Sequence, residues 1–312
     1  MGRGATGWGA TGRILLVLGA GVAFLLGGCA RGPQVGDGTI GADWVSFAEP
    51  KVPTPQVGAC RDAAAVDRVD WHLELFDGTP YECTAPHRTE TYHVVDLTGA
   101  ALALTAPPEA GDDEFVDAFG ICEAAAKEFL GDVWQRARVR IVPVLPSERQ
   151  WRGNARWLRC EMLEVADDID TVVLRSGSLR DGLRTPASAA LTCATDTGST
   201  EDTVDSVVFT DCAKPHTVEL GGVYVAPSAT YPGNDEAVDR ALKACEGIGA
   251  RYLGVSDAVF RTRADVGWLV VGADEELWSI GDRSFRCFIG TYDRKKPIVG
   301  SIRNIGNRAL PH

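Results

Sequence analysis

Apolar residues recur at helical spacing twice along the chain. The first set is Phe115, Ala118, Phe119, Cys122 and Phe129; the second is Val238, Ala241, Leu242, Cys245 and Tyr252. This i, i+3, i+4, i+7 pattern predicts two amphipathic helices, each with a cysteine on its core-facing stripe. Both stretches read Cys-Glu-x5-[Phe/Tyr]-Leu-Gly, so Gly131 and Gly254 are expected as C-caps. Ahead of each helix lies a β-branched and aromatic run, Tyr92–Leu97 or Val223–Ala226, and then an acidic loop containing proline. Behind each lies a second strand-like run, Val139–Val142 or Val266–Val271. The pattern predicts an α+β fold, with one long helix covering a small, mostly antiparallel sheet.

The order repeats because longer strings repeat. Cys83-Thr84-Ala85-Pro86-His87-Arg88-Thr89-Glu90 returns as Cys212-Ala213-Lys214-Pro215-His216-Thr217-Val218-Glu219, sharing C-x-x-P-H-x-x-E. Trp151-x4-Arg156-x2-Arg159-Cys160 returns as Trp278-x4-Arg283-x2-Arg286-Cys287, and Gly177-Ser178-Leu179-Arg180 as Gly300-Ser301-Ile302-Arg303. Self-similarity at a fixed interval means one unit used twice. Two tandem homologous domains are expected, residues 57–183 and 192–305, each long enough to bury its own core. The join at 184–191 is short and contains Pro186, so the two should lie close together.

The N-terminus changes the picture of where the chain works. Residues 1–28 carry Arg3 and Arg13, no acid, and an apolar run from Ile14 to Leu26. That run is shorter than the roughly 20 residues a spanning helix needs and reads as a secretory signal. Leu26-Gly27-Gly28-Cys29 resembles the bacterial lipobox, which implies that Cys29 becomes a lipidated mature N-terminus. Two or more acyl chains, palmitate among them, give a stable anchor. Residues 29–56, rich in Gly and Pro, are expected to form a flexible stalk holding the domains off the extracytoplasmic face of the cell membrane. The formal net charge of −12 becomes more negative once Arg3 and Arg13 are removed. Such a balance argues against nucleic acid as a partner.

Eight cysteines remain after Cys29, four per repeat, and in an exported chain they imply disulfides. Four cysteines allow three pairings in each domain. First-to-second and third-to-fourth is favoured: Cys60–Cys83, Cys122–Cys160, Cys193–Cys212 and Cys245–Cys287. The first kind would close a hairpin-like excursion and the second would staple helix to strand. Each loop would contribute about 3–4 kcal/mol in the chain-entropy model. A zinc reading of C-x3-H needs free thiolates and a second ligand pair, which the linear sequence does not offer. No metal or other cofactor is expected.

No H-E-x-x-H, G-x-S-x-G or P-loop string occurs. Gly247-Ile248-Gly249 lies inside a predicted helix and is no dinucleotide loop. His and Glu of P-H-x-x-E could act as an acid–base couple. More simply, the histidine orders the turn after its proline, and the glutamate pairs with an arginine such as Arg156 or Arg283. No catalytic residue is assigned.

Cys83, Pro86, His87, Glu90, Cys122, Trp151, Arg156 and Cys160, with Cys212, Pro215, His216, Glu219, Cys245, Trp278, Arg283 and Cys287, resemble the actinobacterial septum formation domain. Gly281-Asp282-Arg283 keeps a string that is usual before that family's last cysteine, whereas Asn154-Ala155-Arg156 departs from it. The resemblance implies a link to cell division and brings no established chemistry. The leading expectation is a non-enzymatic, lipid-anchored envelope protein that binds a division or envelope protein or a wall component. The alternatives are a wall-acting enzyme using His and Glu, and a ligand receptor using the cleft between the domains. Cys29→Ala should abolish acyl labelling and release the protein from membranes; continued labelling in the membrane fraction would refute the anchor.

Overall fold

The chain builds two antiparallel sheets of five strands each, and three of the strands are buried along nearly their whole length. The computed structural model describes residues 52–62, 78–198 and 204–312. Cys29, the 1–28 segment and nearly all of the 29–56 stretch fall outside the described residues. The first sheet contains β1 (Ala59–Arg61), β2 (Tyr81–Glu82), β3 (Thr89–Asp96), β4 (Val139–Val144) and β5 (Trp157–Glu164), in the order β2-β1-β3-β5-β4. The second contains β6 (Cys193–Thr197), β7 (Ser206–Thr210), β8 (Val218–Val225), β9 (Val266–Gly272) and β10 (Ser284–Thr291), in the order β7-β6-β8-β10-β9. One order is thus used twice. Strands β3 and β8 begin earlier than the sequence pattern suggests, so Glu90 and Glu219 lie within them.

Helix α1 (Asp113–Leu130) covers the first sheet, burying Phe115, Ala118, Phe119, Cys122 and Phe129 as its spacing predicts. It ends at Gly131, whose φ of 94° suits glycine. Between β4 and β5 lies the short helix α2 (Glu148–Arg152), started by a capping box at Ser147. Helix α3 (Asn234–Leu253) covers the second sheet and ends at Gly254, φ 72°. Its buried stripe is Ala237, Ala241, Cys245 and Gly249, one step from the Val238 and Leu242 of the sequence reading. The small residues face inward because the neighbouring packing is close. A Cβ on Gly249 would stand 2.5 Å from Phe260 Cζ of helix α4 (Asp257–Thr262). Helix α5 (Glu275–Ser279) precedes β10. Each long helix therefore has shorter companions, which serine or aspartate N-caps start locally and which sequence periodicity does not register.

Disulfides join Cys60 to Cys83, Cys122 to Cys160, Cys193 to Cys212 and Cys245 to Cys287. Two of them staple α1 to β5 and α3 to β10. No described helix is long and apolar enough to cross a membrane.

Residues Pro50–His312 make one compact unit containing both halves. Several contacts among the described residues tie the halves together. Residues 166–168 close the outer edge of β7: Phe209 N donates to Ala166 O at 2.9 Å, and Val207 N and Ser206 Oγ donate to Asp168 Oδ1 at 2.7 and 2.8 Å. Ile280 joins the first half's apolar core. Arg286, 3% exposed, reaches from β10 into the first half, donating to the carbonyls of Gln135 at 2.9 Å, Ala137 at 3.1 Å and Val139 at 3.3 Å. Its guanidinium also lies 5.7 Å from the Trp134 ring centroid. The equivalent Arg159 stays in its own half, 2.9 Å from Glu161. The residue after the fourth cysteine makes the difference: Glu161 follows Cys160, but Phe288 follows Cys287.

Arg286→Ala should destabilise the protein by about 3 kcal/mol, because it strands buried carbonyls of the other half. Arg286→Lys should recover little, since one ammonium cannot reproduce a planar fork. Thermal unfolding decides; wild-type melting in either variant would show that Arg286 does not hold the halves.

Candidate functional site

The two C-x-x-P-H-x-x-E strings fold as a turn leading into β3 or β8. Pro86 and Pro215 are exposed at the turn, while His87 and His216 are both 0% exposed. Each imidazole donates from Nδ1 to the carbonyl two residues back, Ala85 O or Lys214 O, at 2.8 Å. A carbonyl only accepts, so Nδ1 carries the proton and Nε2 is left to the interior. Each histidine backbone also pairs in both directions with a returning segment, His87 with Arg175 and His216 with Ile298.

The glutamates complete the closure. Ser178 Oγ donates to Glu90 Oε1 at 2.5 Å and Leu179 N to Oε2 at 2.7 Å. In the second half Ser301 Oγ donates to Glu219 Oε2 at 2.8 Å and Ile302 N to Oε1 at 2.7 Å. The partners thus come from the recurring Gly-Ser-[Leu/Ile]-Arg string. The sequence reading that paired these glutamates with Arg156 or Arg283 is corrected. Arg156 stacks 3.9 Å from the Trp151 ring centroid and donates to the carbonyls of Trp151 and Ala155 at 2.8 Å. The carbonyls of Arg156 and Arg283 accept from Leu97 N and Ala226 N. Trp151 and Trp278 donate from Nε1 to Leu104 O and Ala229 O, both at 3.0 Å, and so pin the loop before each long helix.

The helix position that faces the glutamate differs between the halves. Tyr252 donates its hydroxyl to Glu219 Oε2 at 2.5 Å, whereas its counterpart on α1 is Phe129. His216 Nε2 lies 3.3 Å from Glu219 Oε1; His87 Nε2 has no hydrogen-bond partner. With Nδ1 already donating, His216 must be an imidazolium to bond the carboxylate. Burial opposes that charge, but the Glu219 hydrogen bond and the Lys214 carbonyl outweigh it and raise the His216 pKa. Burial likewise opposes the Glu219 charge, and hydrogen bonds from His216, Tyr252, Ile302 and Ser301 hold its pKa below the usual range.

Metal-ligating atoms converge at the same corners. One from each of Cys60, Cys83, His87 and Glu90 lie within 4.8 Å of one another, as do those of Cys193, His216 and Glu219. The sulfurs are held in disulfides. Elsewhere a cleft of about 440 Å³ opens between the halves, with Arg140, Asp168 and Asp170 on one side and Leu269, Val271 and Glu276 on the other. Arg140 Nε pairs with Asp170 Oδ1 at 2.6 Å. Sequence reasoning placed Tyr252 on the core-facing stripe but gave its hydroxyl no partner, and it assigned no role to Ser178, Ser301 or Arg286, although the repeated strings contain all of these residues.

The His216–Glu219 pair has a pH signature. A raised histidine pKa contributes stability that is complete below its ordinary 6.5 and is lost as pH rises through the raised value. The lowered Glu219 pKa contributes stability present above the ordinary 4.5 and lost as pH falls through the lowered value. The melting-temperature gap between wild type and His216→Gln should therefore be larger near pH ~6 than near pH ~9. An equal gap at both would mean that His216 is neutral in the fold.

No curated protein and no solved structure matches this chain. The septum formation family profile matches residues 59–287, one continuous stretch that spans both halves and most of the sequence. That stretch ends at Cys287 and contains both P-H-x-x-E corners and all four disulfides. The chain belongs to the septum formation family.

Proposed function

We propose that the chain is a non-enzymatic, lipid-anchored protein of the extracytoplasmic membrane face, a binding or scaffold module working in septum formation or envelope maintenance. Its two halves act as two copies of one unit, and its partner is an envelope or division protein or a wall component. Family membership supports the link to septum formation. One observation carries the non-enzymatic part. His87, Glu90, His216 and Glu219 are 0%, 2%, 0% and 0% exposed, and the glutamates bond to their own chain. A catalytic base must come within hydrogen-bond reach of its substrate, and these groups face protein. The cleft between the halves supports a second reading, a receptor for a small polar ligand, because it combines apolar walls with an arginine and carboxylates.

The two histidine variants separate scaffold from enzyme. His216→Ala should lower the melting temperature by several degrees, because it removes from the buried Glu219 carboxylate its cationic partner and one charge-assisted hydrogen bond, at a cost of about 1–3 kcal/mol. His87→Ala should cost less, since its Nε2 bonds nothing, and the two effects should add. Complementation of a deletion strain should follow stability in both variants. Function lost in one variant with melting unchanged would overturn the scaffold reading and restore the enzyme.

A further inference from the structure

The first-half corner holds a buried nitrogen with nothing to bond. His87 is 0% exposed, Nδ1 is committed to Ala85 O, and Nε2 is unpartnered. In the neutral ring that nitrogen carries a lone pair, and a buried lone pair without a partner costs free energy. Around it the fold gathers what the linear sequence does not display. Cys60 arrives from β1, Cys83 from the turn and Glu90 from β3, all with ligating atoms within 4.8 Å of His87 and of one another. Cys60 and Glu90 are the second pair of ligands that Cys83-x3-His87 lacks by itself.

We propose that the reduced form of this corner is a zinc site with Cys60, Cys83, His87 and Glu90 as ligands. A dithiol donor supplies two electrons and two protons, the Cys60–Cys83 bond breaks, and the donor leaves as its own disulfide. Zinc then binds both sulfurs as thiolates and releases two protons. Bond lengths of about 2.0–2.3 Å to N, O and S imply tetrahedral edges of about 3.3–3.8 Å, which small side-chain movements reach from the present spread. The supporting hydrogen bonds are already in place. A metal-bound histidine normally donates its other N–H to a carbonyl or carboxylate, as His87 does to Ala85 O. Glu90 is oriented by Ser178 Oγ and Leu179 N, and with Phe129 in place of a tyrosine it keeps lone pairs free. Cys83 is partly exposed, which gives the dithiol a sulfur to attack.

The second half is the internal control. His216 Nε2 already bonds Glu219, and Glu219 also accepts from Tyr252, Ser301 and Ile302. Only one of its two sulfurs, that of Cys193, belongs to the corresponding cluster. The proposal does not depend on the septal role.

The test uses the full-length chain, treated with a dithiol until alkylation and peptide mapping show Cys60 and Cys83 free, then separated from reductant. Cobalt(II) and zinc(II) are titrated into wild type, His87→Gln and His216→Gln. One equivalent of metal should bind with a thiolate-to-cobalt charge-transfer band, weakened by at least about tenfold in His87→Gln and unchanged in His216→Gln. No thiolate–cobalt band with both thiols free, or a band indifferent to His87→Gln, overturns the site. If reduction unfolds the metal-free chain, circular dichroism replaces the titration. Recovery on zinc addition in wild type but not in His87→Gln supports the site; no recovery, or equal recovery in both, overturns it.

Discussion

Each half of the molecule depends on one buried carboxylate. An ionised glutamate taken out of water is tolerated only where hydrogen bonds replace its hydration. Here they come from the hydroxyl and backbone of a segment about 85 residues further along, Ser178 and Leu179 for Glu90, Ser301 and Ile302 for Glu219. The bond is therefore a closure condition, because the chain must return over the P-H turn before the glutamate can be buried. Backbone pairs between His87 and Arg175, and between His216 and Ile298, reinforce the same return. A disulfide fixes the other arm of each corner, joining the turn cysteine to β1 or β6.

On that shared frame a few substitutions divide the labour. Tyr252 supplies a hydroxyl that Phe129 cannot, which leaves Glu219 saturated and Glu90 with spare capacity. Glu161 engages Arg61 and Arg159 inside the first half, at 3.0 and 2.9 Å. Phe288 offers Arg286 no such partner, and Arg286 crosses to the carbonyls of the first half instead. A buried guanidinium would be costly without acceptors, and those the second half does not supply come from its neighbour. The crossing of Arg286 into the first half thus accompanies a phenylalanine where the first half has an acid.

Much of the frame is legible in the sequence because its causes are local or repeated. Helical spacing from Phe115 to Phe129 reports α1, and cysteine order reports helix-to-sheet staples. The stripe of α3 is legible in part: Ala241 and Cys245 are buried as the spacing predicts, whereas Val238 and Leu242 are only half-buried and Ala237 and Gly249 take inward positions, Gly249 because Phe260 packs against it. Glutamate partners are misread for another reason. Arg156 is the obvious counter-ion by charge, yet it stacks on Trp151, and neutral donors do the work. The repetition of Gly-Ser-[Leu/Ile]-Arg beside that of P-H-x-x-E is the signal that could have joined them. Nothing local could reveal that Arg286 acts across the halves.

The repeated strings are therefore poor places to look for what the protein does to other molecules. In both halves the histidine and glutamate of Pro-His-x-x-Glu bond within their own chain, to a carbonyl two residues back and to the returning Gly-Ser-[Leu/Ile]-Arg segment. The cleft between the halves, by contrast, is lined by side chains that differ from one half to the other. Arg140 and Asp170 of the first half stand there opposite Leu269 and Val271 of the second. Its walls come from units that are alike in fold but unlike in side chains. Arg286 and the closure of β7 by residues 166–168 hold them in register. One half alone would have the corner but not the cleft, so the cleft depends on both halves being held together.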